Sequence, residues 1–203
     1  MRVKRCVLAT RNLDKVREIK EILGSTEWEI VSLDDFPNTH EIDEDGDTLV
    51  ENALKKARLS YDWTRLPSIG DDTGLEVDAL NGAPGVRSSR FAGMDASYDD
   101  NIRKLLDAMK TVPANQRSAR FRCVAAFVDG RVERWVEGTC DGVILTERRG
   151  KNGFGYDPLF FLPELGKTFA EMTLVEKNKI SHRGIAFRKI KELLENYQKE
   201  YIG

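Results

Sequence analysis

Cysteine is scarce. Cys6, Cys123 and Cys140 are the only three in 203 residues, widely separated and with no CxxC pair, so neither a zinc site nor a disulfide framework organises this chain. Histidine is scarcer: His40 and His182 are the only two, and neither lies in a recognisable triad motif, so nothing favours a serine- or cysteine-nucleophile reading. Neither sign of charge dominates. A formal net charge of −2 gives no bulk attraction to nucleic acid or membrane, and any anion site has to be built locally. Long apolar runs are missing as well: "MRVKRCVLAT" is too short in its apolar stretch for a secretory h-region or a membrane span. Repeats, low-complexity tracts and flexible linkers are also lacking. What is present, 40% hydrophobic and 33% charged residues, describes a globular chain long enough to bury a real core, expected to be soluble and cytoplasmic.

The apolar pattern alternates between strand and helix. Residues 3–9 read as a strand, the polar turn "TRNLDK" follows, and Leu13, Val16, Ile19, Ile22 and Leu23 recur at helical spacing up to Gly24. Residues 28–33 form a second strand. An acidic loop runs from Asp34 to Asp47, and a helix capped by Asp47 or Thr48 starts beyond it, with Leu49, Ala53, Leu54 and Ala57 inward. Two short strands are expected around the Asp71–Asp72 pair, then a structured loop over 81–93. A helix with Ile102, Leu105, Leu106 and Met109 inward begins at a capping box of Ser97 and Asp100. Two β-rich runs flank Asp129–Gly130, a pair suited to a type I′ hairpin turn. A glycine-rich loop and a final helix over about 181–197 complete the chain. The expected fold is α/β: a mixed twisted central sheet with flanking helices, one domain over 1–203 in two lobes around a substrate cleft.

Four stretches could carry chemistry. In "TRNLDK", N–H groups at a helix start, with Thr10, Asn12 and Lys15, make an anion-binding corner; the plain alternative is capping by Thr10 or Asn12 with Lys15 solvated. The glycines and Gly-Lys-Ser/Thr ending of a Walker loop are absent. Asp71 and Asp72 lie where an extended run meets a turn. Successive side chains of a strand point oppositely, so one acid would serve as ligand or base while the other orients neighbours. Mg²⁺ needs only one or two carboxylates when phosphate oxygens complete its shell. The alternative is a solvated turn. In "GFGYDP" glycines allow close approach to a ligand and an aromatic face can stack on a purine, unless the aromatics plug the core. "EKNKISHRG" supplies Lys177, Lys179, His182 and Arg183. Its Lys and Arg, donors only, would favour a carbonyl oxygen at a purine edge over an amino group, unless the segment is a solvated basic turn.

In this order and over nearly the whole chain, "TRNLDK", "DDTGLEVDALNGAPGVRSSRFAG", "GKNGFGYDPLF" and "EKNKISHRG" resemble the inosine triphosphate pyrophosphatase (Ham1-like) family. The resemblance implies Mg²⁺-dependent hydrolysis of non-canonical purine triphosphates (dITP, ITP, XTP) to monophosphate and pyrophosphate by a homodimer, and the charge balance leads us to expect neither nucleic acid nor membrane as a partner. It implies that Thr10, Arg11, Asn12, Leu13, Asp14 and Lys15 hold the triphosphate and that Thr73 touches substrate. Asp72 is implied as metal ligand and proton acceptor. Phe154, Gly155, Tyr156, Asp157, Lys177, His182 and Arg183 are implied in base recognition. The second metal ligand is an acid ahead of "ENALKKA", Glu44 by spacing, with Glu51 the competitor. Many members carry Gly where this chain has Arg11, which would be strained if the turn needs a positive φ. A Maf-like nucleotide pyrophosphatase with another base preference and a non-catalytic nucleotide sensor are the alternatives.

Overall fold

The computed structural model describes residues 4–201. The chain folds as an α/β protein whose strands pair in the order β2 (Trp28–Ser32), β1 (Lys4–Leu8), β3 (Ser68–Val77), β5 (Ser118–Val128), β6 (Glu133–Ile144), β7 (Phe160–Leu162) and β8 (Lys167–Thr168), with β4 (Pro84–Gly85) on β3. Strand β1 (Lys4–Leu8) lies in the span expected over 3–9, of which Val3 is outside the described residues. Helix α1 (Leu13–Leu23) follows the polar turn, and β2 (Trp28–Ser32) returns parallel to β1. Helix α2 (Leu49–Thr64) starts at Thr48, which forms a capping box with Glu51.

Strand β3 (Ser68–Val77) pairs parallel with β1 and departs from expectation. It is one unbroken strand of ten residues, with Asp71 and Asp72 buried in its middle rather than at a turn. Two adjacent acids suggest a turn between two short strands when their partners are not seen. Here strand pairing and cationic partners compensate their burial, so the ladder continues through them.

β4 (Pro84–Gly85) adds antiparallel to β3, and α3 (Tyr98–Ala108) begins at the Ser97–Asp100 capping box with both reciprocal bonds made. β5 (Ser118–Val128) and β6 (Glu133–Ile144) form the hairpin. Its turn is not type I′, which needs positive φ at both central residues. Gly130 has φ 84°, but among the described residues only Arg65 and Asn81 are non-glycines with positive φ. The Asp129 carboxylate instead accepts from the N–H groups of Arg131 and Val132, which closes a longer connection. β7 (Phe160–Leu162), β8 (Lys167–Thr168), α4 (Leu174–Ile180) and α5 (His182–Tyr201) complete the chain. Ser181, extended at φ −70° and ψ 157°, separates α4 from α5. No described helix is long and apolar enough to cross a membrane.

The chain divides into two compact units, one of residues up to Asp72, Cys123–Gly138 and from His182 on, the other of Thr73–Arg122 and Thr139–Ser181. In the first, Leu8, Ile19, Ile69, Phe127, Phe187 and Ile190 are fully or almost fully buried in one core. Helix α2 sits directly on β3 there: a Cβ on Gly70 would lie 2.3 Å from the Ala53 carbonyl oxygen and 2.7 Å from the Ala57 nitrogen. In the second unit Phe121, Phe160 and Phe169 cluster, with ring centroids 4.7 Å and 4.9 Å apart for Phe121–Phe160 and Phe160–Phe169.

Candidate active site

The turn from β1 to α1 has two functions in the structure. Asn12 is the N-cap, its side-chain oxygen accepting from the N–H groups of Asp14 and Lys15 at 3.0 and 3.1 Å. Those two first-turn donors are thereby committed, so an anion at this corner would rely chiefly on side chains. Lys15 is not solvated: its ammonium lies 3.0 Å from the Asp71 carboxylate. Arg11 is not among the positive-φ residues and carries no such strain. Its guanidinium donates to Asp34 at 2.9 Å and to the Thr39 carbonyl and hydroxyl oxygens at 3.0 and 2.8 Å. Leu13 is largely exposed at the head of the helix.

The adjacent acids of β3 have different partners. Asp71 pairs with Lys15 of α1 and, at 3.5 Å, with Arg183 of α5. Burial pushes its carboxyl upward, but the charges of Lys15, Arg183 and Lys56 outweigh that and hold it well below the usual carboxylate range. Asp72 is held from α2. The Asn52 amide donates to one of its oxygens at 3.0 Å, and the Lys56 ammonium is 3.2 Å from the other. Burial raises the Asp72 carboxyl above its ordinary value, and the charge of Glu44 works in the same direction, against Lys56. Asp72 is therefore the readier of the two to take a proton.

Lys56 also bonds Glu44, at 2.6 Å, so two carboxylates from separate segments meet on one buried ammonium. The charges of Asp72, Glu44 and Asp71 outweigh the effect of burial and keep that ammonium protonated, while Glu44, in spite of its own burial, is lowered by Lys56 and Lys15. The acidic loop is tied to α2 residue by residue: Glu44 to Lys56, Asp45 to Lys55 at 2.6 Å, and the Gly46 N–H to the Asn52 oxygen at 2.9 Å. Glu51, the competitor for the metal role, accepts instead from the Asp47 and Thr48 N–H groups as a helix cap.

Two hard oxygen donors converging on a position that already favours a cation fit a divalent metal of the Mg²⁺ kind. Among the described residues no group of three His, Cys, Asp or Glu could hold a metal, so a shell around Glu44 and Asp72 would be completed by water and substrate oxygen. A pocket of about 180 Å³ opens beside this cluster, lined in part by Thr10, Arg11, Asn12, His40, Glu44 and Lys56.

The "EKNKISHRG" segment is not a solvated basic turn, since Lys177, His182 and Arg183 are all buried. In the first unit, Arg183 is 2.6 Å from Glu18 and its guanidinium is committed to Glu18 and Asp71. In the second, Lys177 pairs with Asp157 and lies 5.0 Å from the centroid of the Phe154 ring. Asp157 also accepts from the Phe154 N–H at 2.9 Å. Gly153, at φ 70°, permits this turn, since a Cβ there would lie 2.0 Å from the Asp157 carboxylate. Tyr156 is buried in the core and donates to the Ser88 carbonyl, so its ring face is not open to a base; Phe154 is only half-buried. Gly155 has φ 57°, and Thr73 is half-buried in β3.

The sequence reading missed Asn52, Lys56 and Glu18. A signal existed for the first two: the buried residues of α2 are Leu49, Asn52, Ala53, Lys56, Ala57 and Ser60, one helical stripe in which three positions are polar. Polar side chains on an inward face need partners, and here the partners are the site.

Fold and site together define an α/β protein with a cation-favouring pair of carboxylates, Asp72 buried and Glu44 half-buried, beside a strand-to-helix turn. The Ham1 family model matches residues 6–193, and the chain belongs to that family. A dITP/XTP pyrophosphatase of Desulforamulus reducens is 50% identical over 190 residues, covering 93% of this chain and 94% of the relative. One of Geobacter sulfurreducens is 49% identical over 191 residues, covering 94% and 96%. The solved structure of a HAM1 protein from Coxiella burnetii matches with a TM-score of 0.86 at 41% identity, over 95% of this chain and 99% of its own.

Proposed function

We propose that this chain hydrolyses non-canonical purine nucleoside triphosphates, the dITP, ITP and XTP class, to monophosphate and pyrophosphate with Mg²⁺, as a homodimer of the cytoplasm. The observation that carries this reading is the meeting of Glu44 and Asp72 on the Lys56 ammonium, next to a pocket lined by Thr10, Arg11 and Asn12. Curated relatives of half-identical sequence bearing the dITP/XTP pyrophosphatase name support it.

Residues 10–15 are the proposed holders of the triphosphate, with Lys56 neutralising charge beside them. Glu44 and Asp72 would hold the metal, which supplies charge neutralisation on the phosphate chain and a more acidic bound water. Asp72, its proton affinity raised by burial, accepts the proton as water adds across the bond joining the α and β phosphates. Asn52 donates to one Asp72 oxygen and so fixes the carboxylate's rotation. For the base, Lys177, paired with Asp157 and packed on Phe154, is the proposed reader. An ammonium donates and cannot accept, so it favours a 6-oxo purine over adenine. Guanine shares that oxygen, so its exclusion must come from its 2-amino group.

The test is product analysis with ITP, dITP, XTP, ATP and GTP at fixed Mg²⁺. Pyrophosphate and monophosphate are expected from the first three. Asp72→Asn should retain substrate binding while turnover falls by about 10²-fold or more. Release of orthophosphate, or full turnover by Asp72→Asn, would overturn the reading.

A further inference from the structure

We infer that His40 binds the pyrophosphate part of the substrate and of the product, an inference that rests on the pyrophosphatase reading above. His40 lines the same pocket as Thr10, Asn12 and Lys56. The pocket's other cation-forming side chains are already engaged. Arg11 is held by Asp34 and Thr39, and Lys56 by Glu44 and Asp72. His40 differs: its ring meets Trp63 edge-on, centroids 6.1 Å apart at 90°, and no described residue hydrogen-bonds either ring nitrogen. His40 is exposed, so its ring can reach a ligand in the pocket.

An imidazole carries at least one N–H in either protonation state, so His40 can donate to a phosphate oxygen without first gaining charge. The ligand chemistry follows from the surroundings. A donor on the wall of a pocket that also holds Thr10, Asn12 and Lys56, with the carboxylates of Glu41 and Glu44 in the same lining, suits phosphoryl oxygens; for a purine the imidazole itself is the one aromatic face among the lining residues. The terminal phosphates are the part of the substrate that leaves as pyrophosphate, so the contact is made in substrate and product alike. It contributes to holding a triphosphate over a monophosphate.

The test compares wild type, His40→Ala and His40→Gln for inhibition of ITP hydrolysis by inorganic pyrophosphate and, separately, by inosine monophosphate. His40→Ala is expected to weaken pyrophosphate inhibition by about tenfold, the loss of one hydrogen bond to a charged group. Inhibition by the monophosphate should stay within about twofold, because that product lacks the groups His40 would hold. His40→Gln, which keeps an N–H donor, should recover most of the loss. Unchanged pyrophosphate inhibition in His40→Ala, or equal weakening by both products, would overturn the inference. So would a glutamine variant no better than alanine, since His40 would then act by packing on Trp63. A wild type that hydrolyses ITP without releasing pyrophosphate would remove the underlying reading, a result distinct from all of these.

Discussion

Replacing Glu18 tests how the buried charges under the site are balanced. Glu18 and Arg183 are each 2% exposed and 2.6 Å apart, and Arg183 is also 3.5 Å from Asp71, which Lys15 holds at 3.0 Å. Two carboxylates and two cations therefore compensate one another where little water reaches. Glu18→Met leaves an excess positive charge, and Arg183→Met an excess negative one. Breaking a buried pair by removing one partner costs about 3–5 kcal/mol, whereas replacing both by apolar groups of similar volume is often near neutral. Each single variant is thus expected to lower Tm by about 10 °C for a chain of this size. The double variant, which leaves Asp71 with Lys15, should recover at least about 2 kcal/mol relative to the sum of the singles. Urea unfolding followed by tryptophan fluorescence supplies the four free energies of the cycle. Additive losses, or a Glu18→Met protein within about 1 kcal/mol of wild type, would refute the compensation argument.

The pH dependence of stability should report on Asp71. Its carboxyl is depressed in the folded protein, so its contribution is fully present above the unfolded value of about 3.9 and is lost as pH falls through the folded value. The stability gap between wild type and Asp71→Asn should accordingly be flat at neutral pH and narrow below about pH 4, measured by urea midpoints across the series. A gap that widened on acidification would contradict the assignment. Gly70→Ala should lose stability and hydrolysis together, by about 1–3 kcal/mol or more, because its Cβ would push α2 from β3 and carry Lys56 away from Asp72. Wild-type turnover in that variant would separate the helix contact from the site.

Much of the framework was legible because it rests on short-range patterns. The stripe Val16, Ile19, Leu23 marks the buried side of α1, and Ser97 with Asp100 marks the start of α3 through a capping box that needs only neighbouring residues. The acidic pair was legible as unusual but not as part of a continuous strand. Its compensation comes from Lys15, Lys56 and Arg183, which are far from it in sequence, and without these partners two acids read as a turn. The hairpin turn was misjudged for a local reason: an Asp can bond the N–H groups two and three residues on, and at Asp129 that option displaced type I′. Lys56 and Asn52 were hidden by the convention that inward helix positions are apolar. Spacing favours Glu44 but leaves Glu51 near enough to compete; the capping box at Thr48, which engages Glu51, and the Lys56–Glu44 bond distinguish them.

Adjacent carboxylates in a buried strand repel each other, and the sequence offers a metal as the obvious remedy. In the structure the protein already supplies cations. Lys15 and Arg183 serve Asp71, and Lys56 serves Asp72 together with Glu44, so the pair is compatible with folding on side chains alone. The two acids consequently differ in kind. Asp71, depressed and held by two cations, is committed to charge balance. Asp72, raised by burial and shared with Glu44, keeps an affinity for a proton or a cation that Asp71 has lost. Alternation along one strand is sufficient to create that difference, since it gives neighbouring residues to different helices. A single-residue register shift of β3 would exchange the partners, which makes the close contact of α2 at Gly70 a determinant of chemistry as well as of packing.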